Sequence, residues 1–136
     1  MEQDQDVITN ISPAREKFFG CSGKMLAPGT ATVAAAIKTV PKHKLITTDV
    51  LRKKLADQFH VQACCPVTTQ KALKAIASDA TSKVAYWRVV KKNGELIAQF
   101  PGGVIGHAAR LRQEGVEVDE SGKKPKVIDL EKRLVD

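Results

Sequence analysis

Three successive helix patterns limit the fold of this chain more than any other feature of its sequence. The first covers residues 30–40, where Val and Ile recur at helical spacing until Pro41 stops the helix. The second starts at Thr47 or Thr48, either of which can cap it. The third covers residues 66–78 and has an apolar face opposite a polar one. We therefore expect a mostly α-helical domain.

A β-hairpin pattern follows the third helix. Residues 84–90 alternate and are rich in Val and aromatic side chains, which predicts a strand. Residues 91–94 end in Asn-Gly, a pair that tolerates the positive φ angles of a tight turn, and residues 95–99 would form the return strand. Three helices followed by a small β-hairpin are the order of a winged helix-turn-helix.

The remaining segments fit one domain with an arm. A chain of 136 residues suggests a single domain. Residues 1–24 are polar and predict a loose arm, either disordered or docked on the core, with a helical turn near residues 14–19. Residues 25–136 would form the winged-helix domain. A further helix is expected at residues 104–114, ended by Gly115.

Positive charge is concentrated within the helical part of the chain. The net charge is +7, and residues 38–76 hold eight Lys or Arg residues against two Asp residues. Residues 83–92 add four basic residues and no acidic one. A concentrated basic surface favours nucleic acid as the partner, while a solvated face without a partner is the alternative.

Several other classes of protein are disfavoured. No apolar run reaches membrane-spanning length, and the acidic N-terminus lacks a signal-peptide core, so we expect a cytoplasmic protein without membrane contact. Three cysteines, Cys21, Cys64 and Cys65, do not suit a disulfide scaffold. With three scattered histidines they show no metal-ligand spacing, and we expect neither a metal nor a cofactor.

The polar face of residues 66–78 is the best candidate for a recognition helix. Gln70 can pair with an adenine edge, and Lys71 and Lys74 can reach phosphate or guanine. Lys91 and Lys92 lie at the hairpin tip, where they can contact the DNA backbone. The alternative is that all of these are ordinary solvent-facing residues of an amphipathic helix and a turn.

The stretch 84–118 resembles the C-terminal signature of the alkylguanine-DNA alkyltransferase family. Active members read Pro-Cys-His-Arg-Val, and the cysteine of that motif accepts the alkyl group. The matching positions here are Ala85, Tyr86, Trp87, Arg88 and Val89. Both the nucleophile and the histidine that would activate it are absent, and a phenol is a far weaker nucleophile than a thiolate. The resemblance therefore implies a protein without alkyl-transfer activity.

The resemblance extends to the second and third helices. Members of the family bind the DNA minor groove, turn the damaged guanine out of the duplex and fill the gap with an arginine. Thr48 stands where the family has a tyrosine that helps to rotate the base, and Gln70 stands where it has the arginine. The resemblance implies DNA contacts by both residues, and also by Thr69 and Arg88, although the family arginine that Arg88 matches is structural as much as functional. The replacement of the family tyrosine by Thr48 and of the arginine by Gln70 weakens the case for base flipping more than the case for groove binding.

A branch of this family, the alkyltransferase-like proteins, lacks the cysteine. Its members carry Trp at that position, bind alkylated guanine and are thought to mark it for excision repair. Tyr86 is a comparably large aromatic residue, and the segment from Phe100 through Gly102 and Gly103 resembles the glycine loop beside the family's lesion pocket. The resemblance implies a pocket lined by Tyr86, Trp87, Gly102 and Gly103. Strand alternation would allow only one of the two aromatic residues to face it.

Taken together, these patterns predict a monomeric, non-enzymatic protein that binds double-stranded DNA. Its expected target is DNA with an O-alkylated guanine, and excision-repair proteins are its expected partners. One alternative is a winged-helix transcription regulator or general nucleic-acid binder without lesion preference. Another is a thiol enzyme that uses Cys64 or Cys65, which precede the third helix.

Overall fold

Helices dominate the computed structural model, which describes residues 6–19, 22–79, 84–121 and 124–134. Within these ranges the helices are α1 (Pro13–Phe19), α2 (Thr30–Lys38), α3 (Thr48–Gln58), α4 (Pro66–Ser78), α5 (Gly103–Gln113) and the short α6 (Leu130–Arg133). The expectation of a mostly α-helical domain is confirmed. Across these same ranges, no helix combines the length and the apolar character that a bilayer span requires.

The strands are short and form small sheets. They are β1 (Val7–Asn10), β2 (Lys24–Ala27), β3 (Ile46–Thr47), β4 (Ala63–Cys64), β5 (Val89–Val90), β6 (Val118–Asp119) and β7 (Lys126–Val127). In the first sheet β2 is central, with β1 antiparallel and β4 parallel to it. The second sheet is the parallel pair β3 and β5, and the third is the antiparallel pair β6 and β7.

The main core lies between α2, α3 and α4. The apolar faces predicted from helical spacing point into it, and the largest contributions come from Val33, Ile37, Leu51, Leu55, Leu73 and Ile76. Burial of each such aliphatic side chain stabilises the fold by about 1.5 to 3 kcal/mol relative to its exposure. A second cluster, which includes Val90 and Leu111, joins β5 to the inner face of α5.

Local signals correctly predicted where α2 and α5 end, but not how the N-terminus of α3 is capped. Pro41 follows α2 closely, and Gly115, with φ of +84°, follows α5. Thr47 occupies the N-cap position of α3, yet its side chain makes no capping hydrogen bond. Thr47 is instead buried within β3, where its backbone pairs with β5. The predicted side-chain cap is therefore wrong.

Much of the N-terminal segment is built into the fold. β1 pairs along its length with β2, and the Ile11 amide donates to the Gly23 carbonyl at 2.8 Å. The carboxylate of Asp6 accepts hydrogen bonds from the Gly29 amide at 2.6 Å and the Thr32 hydroxyl at 2.7 Å. The expected helical turn near residues 14–19 is present as α1. Of the two alternatives for the arm, disordered or docked, these described residues adopt the docked one.

The predicted β-hairpin is also wrong, although its turn exists. Residues 86–88 form a 3₁₀ turn, and only Val89 and Val90 are extended. Those two residues pair in parallel with β3 rather than with residues 95–99, which form no strand of their own. Parallel pairing with β3, about 40 residues earlier in the chain, provides the backbone hydrogen bonds that a local hairpin would otherwise have provided.

Candidate nucleic-acid interface

A cavity of about 260 Å³ lies where α3, α4 and the segment 91–100 meet. Its lining residues are Thr48, Gln70, Leu73, Lys74, Lys91, Ile97, Gln99 and Phe100. Four of them were among the predicted DNA contacts. The volume falls a little below the roughly 300 to 1,000 Å³ of pockets for drug-sized ligands. It therefore suits a small group better than an extended one.

The amphipathic pattern of α4 sets one wall of this cavity. The helix starts at Pro66, which has no amide hydrogen to leave unpaired at the first helical position. Its buried side packs on the main core, whereas Gln70, Lys71 and Lys74 are exposed. Gln70 and Lys74 are four residues apart and share one face, so both reach the cavity. Lys71 is exposed on the same helix but lies outside the lining.

The turn 91–94 brings a second lysine to the cavity. The Gly94 amide donates to the Lys91 carbonyl at 2.8 Å, and the Lys91 amide donates to the Glu95 carbonyl at 3.0 Å. Gly94 has φ of +86°, a conformation that the Asn-Gly pair accommodates easily. As a result Lys91 lines the cavity, while its neighbour Lys92 is exposed beside it.

Thr69 is not available to DNA. Only 1% of its surface is exposed, and its hydroxyl donates to the Cys65 carbonyl at 2.8 Å and lies 3.4 Å from Cys64 Sγ. The prediction that it contacts DNA is wrong because Thr69 shares the inner face of α4 with Leu73 and Ile76. That spacing is visible in the sequence and could have identified Thr69 as a core residue.

Arg88 is committed to an internal ion pair. Its Nε and one terminal nitrogen donate to the two carboxylate oxygens of Glu114 at 3.0 and 2.6 Å, and its other nitrogen donates to the Val40 carbonyl at 2.7 Å. The side chains of Arg88 and Glu114 are only 15% and 10% exposed. The hydrogen bonds from Arg88 lower the pKa of the Glu114 carboxyl. Arg88 therefore has a structural role, and its contact with DNA stays a prediction.

Tyr86 and Trp87 do not line this cavity, so it differs from the pocket that the resemblance implies. In the 3₁₀ turn the two rings meet edge to face with centroids 5.2 Å apart, rather than pointing to opposite faces of a strand. The Tyr86 ring also packs edge-on against Phe100 at 4.9 Å, so it supports the cavity wall from behind. The Trp87 ring is covered by the Arg110 guanidinium at 5.4 Å.

Gly102 and Gly103 serve the start of α5 rather than the cavity, which is a second difference from the pocket that the resemblance implies. Both have positive φ values, +79° and +65°, and Gly102 is the N-cap of the helix. Neither residue lines the cavity. Gly106 is needed for space, since a side chain there would overlap the Pro101 carbonyl oxygen. These glycines hold residues 97–103 tightly against α5.

His107 is the most important residue that the sequence interpretation missed. It is fully buried, its Nδ1 accepts from the Ile97 amide at 3.0 Å, and its Nε2 pairs with the Trp87 carbonyl at 2.8 Å. Because Nδ1 accepts, Nε2 must carry the proton and donate. The ring also packs against Phe100 at 4.9 Å. Burial lowers the pKa of His107 to about 4. His107 thus fixes two wall residues, Ile97 and Phe100.

The two described cysteines, Cys64 and Cys65, are buried away from the cavity. Burial raises the pKa of the Cys64 thiol. Burial also acts to raise the pKa of Cys65, but hydrogen bonds from the Thr68 hydroxyl and from the Thr68 and Val67 amides outweigh it and leave that pKa lowered. In the described parts of the chain, no group of three or more potential metal ligands comes together.

The fold resembles solved structures of S. pombe proteins. One is Atl1 in complex with damaged DNA containing O6-carboxymethylguanine, with a TM-score of 0.59 and 18% identity. Another is S. pombe ATL in complex with DNA, with a TM-score of 0.64 and 18% identity. Each alignment covers 79% of this chain and 94% of the other. No protein-family model and no curated protein sequence match the chain. The likeness establishes a shared fold.

Proposed function

We propose that this protein binds double-stranded DNA and recognises an alkylated guanine without removing the alkyl group. The observation that carries the proposal is the cavity between α4 and the turn 91–94. It gathers Thr48, Gln70, Lys74 and Lys91, which sequence reasoning had selected separately as DNA contacts. The two S. pombe structures of the same fold are complexes with DNA, which is damaged in one of them, and this supports the same function here.

The chemistry of the cavity suits a base that has left the duplex. Phe100, Leu73 and Ile97 provide apolar surface against which a flat ring can pack. Gln70, Gln99 and Thr48 can donate to and accept from the edge of a base. In this proposal α3 and α4 act as the helix-turn-helix, and the turn 91–94 takes the place of a hairpin wing.

The described lining of the cavity contains no cysteine thiol, and we therefore propose a non-catalytic function. The Tyr86 side chain is held between Trp87 and Phe100. Alkyl transfer needs a thiolate in line with the alkyl carbon, formed beside a base. The described lining supplies no thiolate, so the proposed role is recognition, and repair would depend on partner proteins.

The proposal is tested by fluorescence-anisotropy titration with two duplexes that differ only in one O-methylated guanine. We expect the methylated duplex to bind several-fold more tightly at both low and moderate salt, because only a damaged base occupies the cavity. Equal, salt-sensitive binding to both duplexes would instead support a general DNA binder. Absence of binding to either duplex would contradict both functions.

Lys71 and Lys92 should contribute through phosphate contacts. They are exposed beside the cavity but outside its lining. The double variant Lys71→Ala/Lys92→Ala should bind plain and methylated duplexes equally less well. It should also reduce the slope of log affinity against log salt by roughly two units, because binding releases about one counterion fewer for each phosphate contact that is lost. The measurement is a titration series between 50 and 200 mM salt.

A charge-matched control separates contact from overall charge. Lys53→Ala/Lys54→Ala removes two exposed lysines from α3 that do not line the cavity. We expect this variant to change the salt slope much less. If both double variants reduce the slope by the same amount, the face around α4 and the turn 91–94 is not the DNA interface.

A further inference from the structure

Two lysines line the cavity without a carboxylate partner. Within the described ranges ion pairs join Arg88 to Glu114 and Arg112 to Glu120, and neither Lys74 nor Lys91 takes part in one. None of the described residues that line the cavity is acidic. The two ammonium groups therefore present uncompensated positive charge at a small, partly apolar space.

Glu95 is an acidic residue close in sequence to Lys91, and its carboxylate has a hydrogen-bond partner. Glu95 lies with Lys91 beside a separate cavity of about 210 Å³ on the other side of the turn 91–94. Its carboxylate accepts a hydrogen bond from the Asn93 side chain at 2.6 Å. Glu95 does not line the cavity that holds Lys74, and it forms no ion pair with either lysine.

We infer that Lys74 and Lys91 make the cavity selective for guanine adducts with an anionic substituent, such as an O-linked carboxylate, over neutral adducts of the same size. The inference rests on the proposed function and specifies the class of lesion. A carboxylate can accept charge-assisted hydrogen bonds from both ammonium groups, which are about twice as strong as bonds between neutral groups. A neutral amide of the same shape cannot gain this interaction.

The position of the two lysines favours an adduct over backbone phosphate as their anion. Every duplex carries phosphate, and Lys71 and Lys92 already supply cations on the outer surface beside the cavity. Lys74 and Lys91 are exposed as well, but they also share their cavity with Leu73, Ile97 and Phe100. Apolar walls lower the local dielectric and strengthen the interaction of a lysine with an anion that enters.

The test compares four duplexes that differ at one guanine: unmodified, O-methyl, O-carboxymethyl and O-carbamoylmethyl. The last two have nearly the same size, and only the carboxymethyl group is charged. We expect the carboxymethyl duplex to bind about tenfold more tightly than the carbamoylmethyl duplex, the gain that a charge-assisted hydrogen bond typically supplies. Anisotropy titrations at fixed salt provide the four dissociation constants.

Matched lysine variants assign the preference to the cavity. Lys74→Gln/Lys91→Gln should reduce the carboxymethyl preference to near one, because glutamine keeps the length but not the charge. Lys71→Gln/Lys92→Gln should weaken binding to all four duplexes and keep the preference. Circular-dichroism melting of each variant ensures that only folded proteins are compared. A carboxymethyl preference that survives in Lys74→Gln/Lys91→Gln would overturn the assignment to these lysines.

The remaining outcomes separate this inference from the proposed function. Tighter binding of all three adducts than of plain guanine, with equal affinity for the carboxymethyl and carbamoylmethyl duplexes, overturns the charge selectivity alone. Equal binding of all four duplexes overturns the charge selectivity and the lesion recognition together.

Discussion

Replacing His107 with alanine should lower the free energy of unfolding by about 3 to 5 kcal/mol. The change leaves a cavity in a fully buried site and removes the partners of the Ile97 amide and the Trp87 carbonyl. An unpaired buried polar group costs roughly 1 to 3 kcal/mol, and the lost ring adds a packing term. Urea denaturation at neutral pH, followed by circular dichroism, measures the effect.

The same histidine should make the stability depend on pH between about 6.5 and 4. Burial depresses its pKa from 6.5 to about 4 in the folded protein. Above pH 6.5 the ring is neutral in both states, so its contribution to stability is fully present. As the pH falls towards 4, only the unfolded chain binds the proton, and the free energy of unfolding decreases by about 3 kcal/mol in total.

Two variants separate this titration from other acid effects. His107→Gln removes the titrating ring while its amide can still donate and accept, so its stability should change less than that of the wild type between pH 6.5 and 4. Phe100→Leu destabilises the same contact without removing the imidazole and should keep the wild-type pH dependence. Identical pH dependence of wild type and His107→Gln would show that His107 does not control acid stability.

His107 also illustrates which parts of the fold local sequence can predict. Helical spacing predicted α2, α3 and α4 because each buries one continuous face, and that periodicity is local. The same spacing places His107 with Leu111 on the inner face of α5, so its burial was visible in principle. Its two hydrogen-bond partners were not visible, because they come from segments 10 and 20 residues away.

The errors around residues 84–99 have a physical origin in long-range pairing. A run rich in Val predicts extended backbone, but it does not specify the neighbouring strand. Val89 and Val90 pair with Ile46 and Thr47, so the return strand of the predicted hairpin is not needed. The residues before them are then free to form the 3₁₀ turn that carries Tyr86 and Trp87.

The candidate site was predictable only where it depends on one helix or one turn. Gln70 and Lys74 follow from the polar face of α4, and Lys91 follows from the Asn-Gly turn. Ile97 and Gln99 reach the cavity because the chain after the turn folds back along α5, which no local pattern specifies. Sequence therefore identified the charged half of the cavity and missed most of its apolar wall.

Replacing Arg88 with alanine should lower the free energy of unfolding by about 3 kcal/mol, the low end of the range for breaking a buried ion pair. The guanidinium joins Glu114, at the C-terminal end of α5, to the Val40 carbonyl just after α2. Without it, a carboxylate that is only 10% exposed loses its partner.

The Arg88→Ala change also removes the hydrogen bonds that hold the pKa of Glu114 below its ordinary value. The wild type should therefore lose stability as the pH falls below about 4.5, while Arg88→Ala should lose less there.

A conservative variant distinguishes this structural role from the DNA contact that the sequence suggested. Arg88→Lys keeps the positive charge but cannot donate to both Glu114 oxygens and to Val40 at once. It should lower the free energy of unfolding by an amount between zero and that of Arg88→Ala, and the double variant Arg88→Ala/Glu114→Ala should recover part of the stability. Under conditions where every variant is folded, duplex affinity and its salt slope should match the wild type. A salt slope reduced by about one unit in Arg88→Ala, but restored in Arg88→Lys, would instead place Arg88 on a phosphate.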